Sequence, residues 1–267
     1  MKINIRSYTT FVKRTMDSLR CVLAAMFDND SSEVATFYSR PNEFEYYYPN
    51  IEYCLRYNNI YHDALRLENR IFRFGYNRRK LAKMLGKNVE EMPDILKLWE
   101  EVYYLKNHGF ELPENYTLAY SSIKKMASDI VEFRYFEFKK LEIKLAIGFM
   151  LDDINNAINT HISGDQSPSL YLHSVHDTTI IAIMKGLDCY DGVWPEVSSY
   201  FAVELHNINT KWFVKFVYND QPIHLKMTND EFLPLHEFKS LIRKNQLGDV
   251  DFCKVCLTDN IQSHPNL

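Results

Sequence analysis

Glycine and proline are scarce in this chain, eight and nine among 267 residues. That excludes collagen-like and low-complexity disordered architectures, which depend on one or both. Long apolar runs are absent as well, since none approaches the roughly 18 residues of a membrane span. There is no excess of positive charge. With 31 Lys and Arg against 35 Asp and Glu the net charge is −4, and this balance favours neither nucleic acid nor an anionic membrane surface. Met1 is followed by Lys2, Asn4 and Arg6 with no apolar h-region, so the chain as given reads as carrying no signal peptide. Cysteine is modest and odd in number: Cys21, Cys54, Cys189, Cys253 and Cys256. By count alone these can be buried free thiols. Cys253 and Cys256 with His264 have the look of half a zinc site, but no second pair completes four ligands, and no metal is expected. The triplets Asn29-Asp30-Ser31 and Asn115-Tyr116-Thr117 are glycosylation sequons that would matter only in a secreted chain.

What is present is the profile of a packed globular protein, long enough to bury a sizeable core in one or two domains. Aromatics make up 14% of it, including 18 Tyr and 17 Phe. Its organising stretch runs from Leu170 to Leu205. An apolar strand, Leu170 to Val175, ends at His176-Asp177. Thr178, Thr179 and a helix-like apolar run, Ile180 to Leu187, follow. After the Trp194-Pro195 turn comes another strand, Tyr200 to Leu205. A His-Asp pair therefore stands where a strand stops and a helix begins. In open α/β sheets that is the ligand crevice, and the helix N-terminus suits an anion such as phosphate. The plainer reading is a helix N-cap, with Asp177 or Thr178 capping and the histidine beside it by chance.

The start of the chain repeats the construction. Ile3-Asn4-Ile5 alternates like the end of a strand, Arg6 follows, Tyr8 to Thr10 reads as a polar loop, and Phe11 to Phe27 has helical spacing with Arg14 and Arg20 inside it. An arginine at a strand's carboxyl end can fork two hydrogen bonds to a phosphate; its plainer reading is a surface charge. Asp28 to Glu33 reads as a linker. Arg40 to Asn50 reads as extended and aromatic, a packing segment or a lipid-accepting wall. From Ile60 to Ile158 the pattern is mostly helical, with helices at Tyr61 to Phe74, Arg79 to Leu85, Ile95 to His108, Ser121 to Phe138 and Lys140 to Ile158. Pro93 marks a start; Gly86 and Gly109 mark stops. Asp152-Asp153 reads as an acidic pair on a helix surface rather than a metal site. A hairpin through Asn207 to Thr210, with Trp212, Val214, Phe216 and Tyr218 alternating after it, leads to a short strand at Pro222 to Met227 and a last helix near Phe238 to Ile242.

The stretch with Ser174, His176-Asp177-Thr178-Thr179, Pro195 and Glu204-Leu205 resembles the C-terminal signature of the histidine acid phosphatases, in the histidine phosphatase superfamily. The segments Leu19 to Phe27, Tyr48 to Cys54 and Trp194-Pro195 resemble its lysophosphatidic acid phosphatase branch. The resemblance implies an α/β fold: a phosphoglycerate-mutase-like core sheet flanked by helices, with an inserted mainly helical cap. The core would be residues 1–30 and 165–267 and the cap 31–164. It implies that Asp177 protonates the leaving oxygen, that His176 helps hold the phosphate, and that Arg6 binds it. It also implies a disulfide from Cys54 to a cysteine near the C-terminus, where Cys256 fits better than Cys253. No cofactor is implied. The substrate would be a phosphomonoester or lysophospholipid, and the compartment mitochondrial, lysosomal or secreted.

The sequence departs from the pattern in two places. Tyr8 stands where the family has threonine after Arg-Ser, and Arg14 comes later than its second arginine. More consequentially, no Arg-His-Gly occurs anywhere in the chain. In the family a core strand ending in that motif supplies the nucleophilic histidine. The expectation is therefore an acid phosphatase working through phosphohistidine, of which this chain is an N-terminally truncated fragment lacking a central strand and showing little or no turnover. The alternative is a non-catalytic phosphate- or lysophospholipid-binding relative.

Overall fold

The structure is a computed structural model that describes residues 4–27, 37–136, 140–225, 230–248 and 251–257. The sequon at Asn29, the linker after Asp28 and His264 lie outside the described residues. In chain order the elements are β1 (Ile5–Thr9), α1 (Lys13–Met26), β2 (Phe37–Tyr38), α2 (Leu55–Glu68), α3 (Phe72–Leu85), α4 (Ile95–Asn107), α5 (Glu114–Phe136) and α6 (Lys140–Ile162). Then come β3 (Leu170–Ser174), α7 (Asp177–Gly186), β4 (Phe201–Ile208), β5 (Lys211–Tyr218), β6 (Gln221–Pro222), β7 (Leu233–Pro234), α8 (Leu235–Arg243) and α9 (Phe252–Leu257). Helices outnumber strands and one sheet is parallel, so the chain is α/β with a core and a helical domain.

Residues 1–58, 140–190 and 195–267 form one compact unit; residues 59–139 and 191–194 form the other. The expected boundaries at 30/31 and 164/165 differ from these. Helix α6 lies with the core unit because its apolar side packs on α7. Residues 37–58 lie there too, tied in by the disulfide between Cys54 and Cys256 and by hydrogen bonds to β1 and α7.

In the core unit a parallel sheet has the order β2-β1-β3. Ile5 pairs with Leu170 and the register runs without interruption to Thr9 opposite Ser174. This corrects the expectation for the start of the chain. Ser7, Tyr8 and Thr9 are buried strand residues and not a polar loop, so Arg6 lies inside β1 and not at its end. The second sheet is antiparallel, β4 against β5 with β6 and β7 also on β5. The β4–β5 hairpin turns through Asn209 and Thr210, both at positive φ (51° and 66°), the conformation that a two-residue hairpin loop requires. The strand expected at Pro222 to Met227 is only β6; residues 226–227 lie outside the described residues.

In the helical unit the segment expected as one helix from Tyr61 to Phe74 is broken. Helix α2 ends at Glu68 and α3 begins at Phe72. Asp94 caps α4, accepting from Leu96 N at 3.0 Å, and its carboxylate also meets Arg134 at 2.6 Å. Arg134 donates from Nε to Glu68 at 2.5 Å. The guanidinium is thus buried between two carboxylates, which binds the end of α2, the start of α4 and α5 into one block. Burial opposes an ionised Asp94, but the hydrogen bond and charge of Arg134 hold its carboxyl below the usual range.

Candidate functional site

Strand β3 ends at Ser174, and His176 becomes the N-cap of α7 in extended geometry, φ −117° and ψ 161°. Thr179 fixes this corner. Its hydroxyl donates to the Tyr47 carbonyl at 2.6 Å and accepts the His176 backbone N–H at 3.3 Å. The N-cap is therefore His176 itself and not Asp177 or Thr178, and the cap geometry fixes the direction of the imidazole. Asp177 is the first residue of α7, is exposed, and accepts the Thr178 N–H at 2.7 Å.

Two side chains from the β1–α1 junction converge on the imidazole. Thr10 Oγ1 lies 3.0 Å from Nε2, and Arg14 Nη2 lies 3.4 Å from Nδ1. A guanidinium can only donate, so Nδ1 accepts and Nε2 carries the proton that Thr10 receives. The Thr10 hydroxyl then points to Thr15 Oγ1 at 2.9 Å, and Thr15 donates to the Val12 carbonyl at 2.8 Å. The relay is consistent along its length with one neutral tautomer. Burial, then the charge of Arg14, pulls the His176 pKa from 6.5 down to about 4. The Tyr48 ring closes one side, its centroid 5.0 Å from that of His176.

The arginine at His176 is Arg14, not Arg6. Four residues of strand separate Arg6 from Thr10, roughly 13 Å, and the Arg6 side chain is exposed, with its guanidinium 5.4 Å from the Tyr38 ring centroid. The physical reason is the register of β1 on β3, which carries the strand three residues past Arg6.

Behind the corner, on the Tyr8 and His173 face of the sheet, lies a knot that the sequence did not announce. Arg40 is caged by Tyr8, Tyr46 and Tyr47, with ring centroids 4.8, 4.1 and 4.9 Å from Cζ. The Tyr8 hydroxyl donates to Glu45 and the Tyr47 hydroxyl to Asp153. Glu45 Oε1 also accepts the N–H groups of Tyr46 and Tyr47, each at 2.9 Å. Glu45 is buried, and the aromatic stripe is a packing segment around a charge. Asp153 is no free surface acid, and Asp152 accepts the Gly248 N–H at 2.9 Å. His173 packs on Tyr8 and Tyr47. Burial drives its pKa to about 4, with Asp153 opposing and Arg40 and Arg6 assisting. Only the Tyr-Pro-Asn segment leading to Cys54 pointed here; Arg40, Glu45 and His173 meet through contacts distant in sequence.

Cys54 and Cys256 form a disulfide, their Cα atoms 4.5 Å apart. Cys256 is thereby withdrawn from any zinc site with Cys253. Among the described residues no group of three or more His, Cys, Asp or Glu side chains could hold a metal ion, and no helix is long and apolar enough to cross a membrane.

No family model matches the chain. Among curated proteins it is similar to lysophosphatidic acid phosphatase type 6 of Bos taurus, 23% identical over 264 residues that span 96% of this chain and 61% of that one. It is similar to a venom acid phosphatase of Apis mellifera, 26% identical over 259 residues, 90% of this chain and 66% of that one. Prostatic acid phosphatase of Bos taurus is 23% identical over 239 residues, 82% of this chain and 60% of that one. Among solved structures, the phytase from D. castellii superposes with a TM-score of 0.54 at 12% identity, covering 97% of this chain and 61% of that one; this likeness concerns the fold alone. The chain spans about three fifths to two thirds of the length of these three curated relatives.

Proposed function

The chain is a distant relative of the histidine acid phosphatases, and from that premise we propose that it carries the phosphate-holding and proton-donating part of a phosphomonoester hydrolase. One observation carries the reading. His176 and Asp177 stand at the end of a parallel strand, with Thr10 and Arg14 converging on the imidazole from the neighbouring strand–helix junction. Arg14 supplies positive charge and guanidinium N–H donors, α7 supplies the positive end of a helix dipole, and the Nε2–H of His176, which rests on Thr10 in the relay, turns to the phosphate when it binds. These are the groups that stabilise charge on the equatorial oxygens of a transferring phosphoryl group.

The reaction runs in two steps. A neutral imidazole attacks phosphorus as the ester P–O bond breaks, and Asp177 gives its proton to the leaving oxygen. Water then attacks the phosphohistidine and returns a proton to the Asp177 carboxylate, releasing phosphate and the free imidazole. The attacking histidine belongs to an Arg-His-Gly strand in the family pattern. These 267 residues contain no such motif, so the reading needs that histidine from sequence beyond them, and this chain alone is expected to turn over little substrate. As substrate we propose lysophosphatidic acid or a similar lysophospholipid monoester, the class named for several of the relatives. The absence of Arg-His-Gly favours one second reading, a relative that binds phosphate or lysophospholipid without turning it over.

Calorimetric titration of the purified chain with inorganic phosphate and with lysophosphatidic acid tests the site. His176→Ala is expected to weaken both by tenfold or more, since hydrogen bonds to charged groups contribute about 1.5–3 kcal/mol. Equal affinities in wild type and variant would remove His176 from the site. Brisk turnover of p-nitrophenyl phosphate by the chain alone would overturn the need for an external nucleophile.

A further inference from the structure

Helix α3 has two unlike faces. Phe74, Leu81, Ala82 and Leu85 are buried, and the Phe74 ring meets Phe133 of α5 edge to face at 5.2 Å. On the opposite face Phe72 is 79% exposed, Tyr76 53% and Met84 36%. The two aromatic rings stack on each other 6.1 Å apart. Interleaved with them are Arg73, Arg79, Lys80 and Lys83, all exposed. At 100° per residue this outer face spans about 140° of the helix.

The charge of α3 is one-sided. Its 14 residues contain five Arg and Lys and no Asp or Glu, in a chain whose net charge is −4. Arg78 is turned inward and donates to the Met92 carbonyl at 2.6 Å. Among the described residues the four outer cations enter no ion pair. Overall charge conceals this feature, because the acidic excess lies elsewhere along the chain.

We propose that the outer face of α3 docks on an anionic phospholipid surface. Phe72, Tyr76 and Met84 enter the interfacial region, and Arg79, Lys80 and Lys83 meet headgroup phosphates while their alkyl stems lie along the apolar side chains. Nucleic acid would use the cations but would leave three large apolar side chains without a role. A second copy of α3 would bring like charges together. A membrane surface uses both halves of the face, and each cation near such a surface is worth roughly 1 kcal/mol of attraction, or about fivefold in binding. This inference does not depend on the phosphatase reading.

Co-sedimentation of the purified chain with phosphatidylcholine vesicles, with and without phosphatidylserine, tests it. Binding is expected only to the anionic vesicles and is expected to fall as salt rises. Lys80→Gln with Lys83→Gln should lower it on the order of 25-fold. Phe72→Ser with Tyr76→Ser should weaken it while leaving its salt dependence in place. All four positions are exposed, so circular dichroism and melting temperature should not change. No association with anionic vesicles, equal association with both vesicle types, or binding indifferent to both double variants would overturn the proposal. So would retention of the chain by duplex or single-stranded nucleic acid with no vesicle binding.

Discussion

Two histidines held neutral beside the site should make the core unit acid-sensitive in a defined window. His173 and His176 both have pKa values near 4 in the folded chain, against an ordinary value of 6.5. Above pH 6.5 both are neutral whether the chain is folded or unfolded, and they add no pH dependence. Between pH 6.5 and about 4 the unfolded chain takes up protons that the folded chain refuses, so stability falls as pH falls. Below about 4 both states are protonated and the loss levels off. Each full shift corresponds to roughly 3 kcal/mol. Both rings keep some solvent exposure, which screens part of this, so about 2 kcal/mol per histidine is the expected loss. The assay is urea unfolding at half-unit steps from pH 7 to 4, on wild type and on His173→Gln and His176→Gln. Each variant should lose about half of the wild-type decline across that window. An unchanged slope in both variants, or imidazole resonances that titrate near pH 6.5 in the folded chain, would refute the reasoning.

Other substitutions probe the frame. Replacing Arg134 with Met should cost about 3–5 kcal/mol in urea unfolding, because Glu68 loses its partner in a buried setting. Reducing the Cys54–Cys256 disulfide, which closes a 202-residue separation, should lower stability by about 2–5 kcal/mol and visibly shift the thermal midpoint. Gly148→Ala would place a Cβ 2.8 Å from Leu247 Cγ and 3.1 Å from the Asn245 carbonyl, which should cost about 1–3 kcal/mol of overpacking.

The His-Asp corner was legible because the pattern changes there: an apolar run of strand length stops, two polar residues intervene, and a helical run starts. The β4–β5 hairpin was legible by alternation, and α4 by Pro93 before it and Gly109 after it. The position of β1 was misread for a physical reason. Ser7, Thr9 and Thr10 are polar yet buried, the Thr9 hydroxyl donating to the Thr10 carbonyl and the Thr10 hydroxyl meeting Thr15 and His176, and hydropathy cannot mark such a strand. Arg6 was assigned by resemblance alone, and the contact of Arg14 with His176 depends on where β1 ends. The cage around Arg40 was not legible at all, because Tyr8, Glu45, Asp153 and His173 come from four separate parts of the chain. Of helix α3 only Arg79 to Leu85 was read as its own helix, with Phe72 to Phe74 given to the helix before it, and only the exposure of Phe72 and Tyr76 distinguishes a docking face from an ordinary solvated one.

The most direct measurement of the central claim compares two arginines. Inorganic phosphate is titrated into the purified chain and into its Arg14→Ala and Arg6→Ala variants by calorimetry at pH 6.5. The geometry predicts that Arg14→Ala loses tenfold or more in affinity, as expected for a charge-assisted contact, while Arg6→Ala binds like wild type. Loss in Arg6→Ala with full binding in Arg14→Ala would contradict the assignment of the β1–α1 junction as the phosphate cradle.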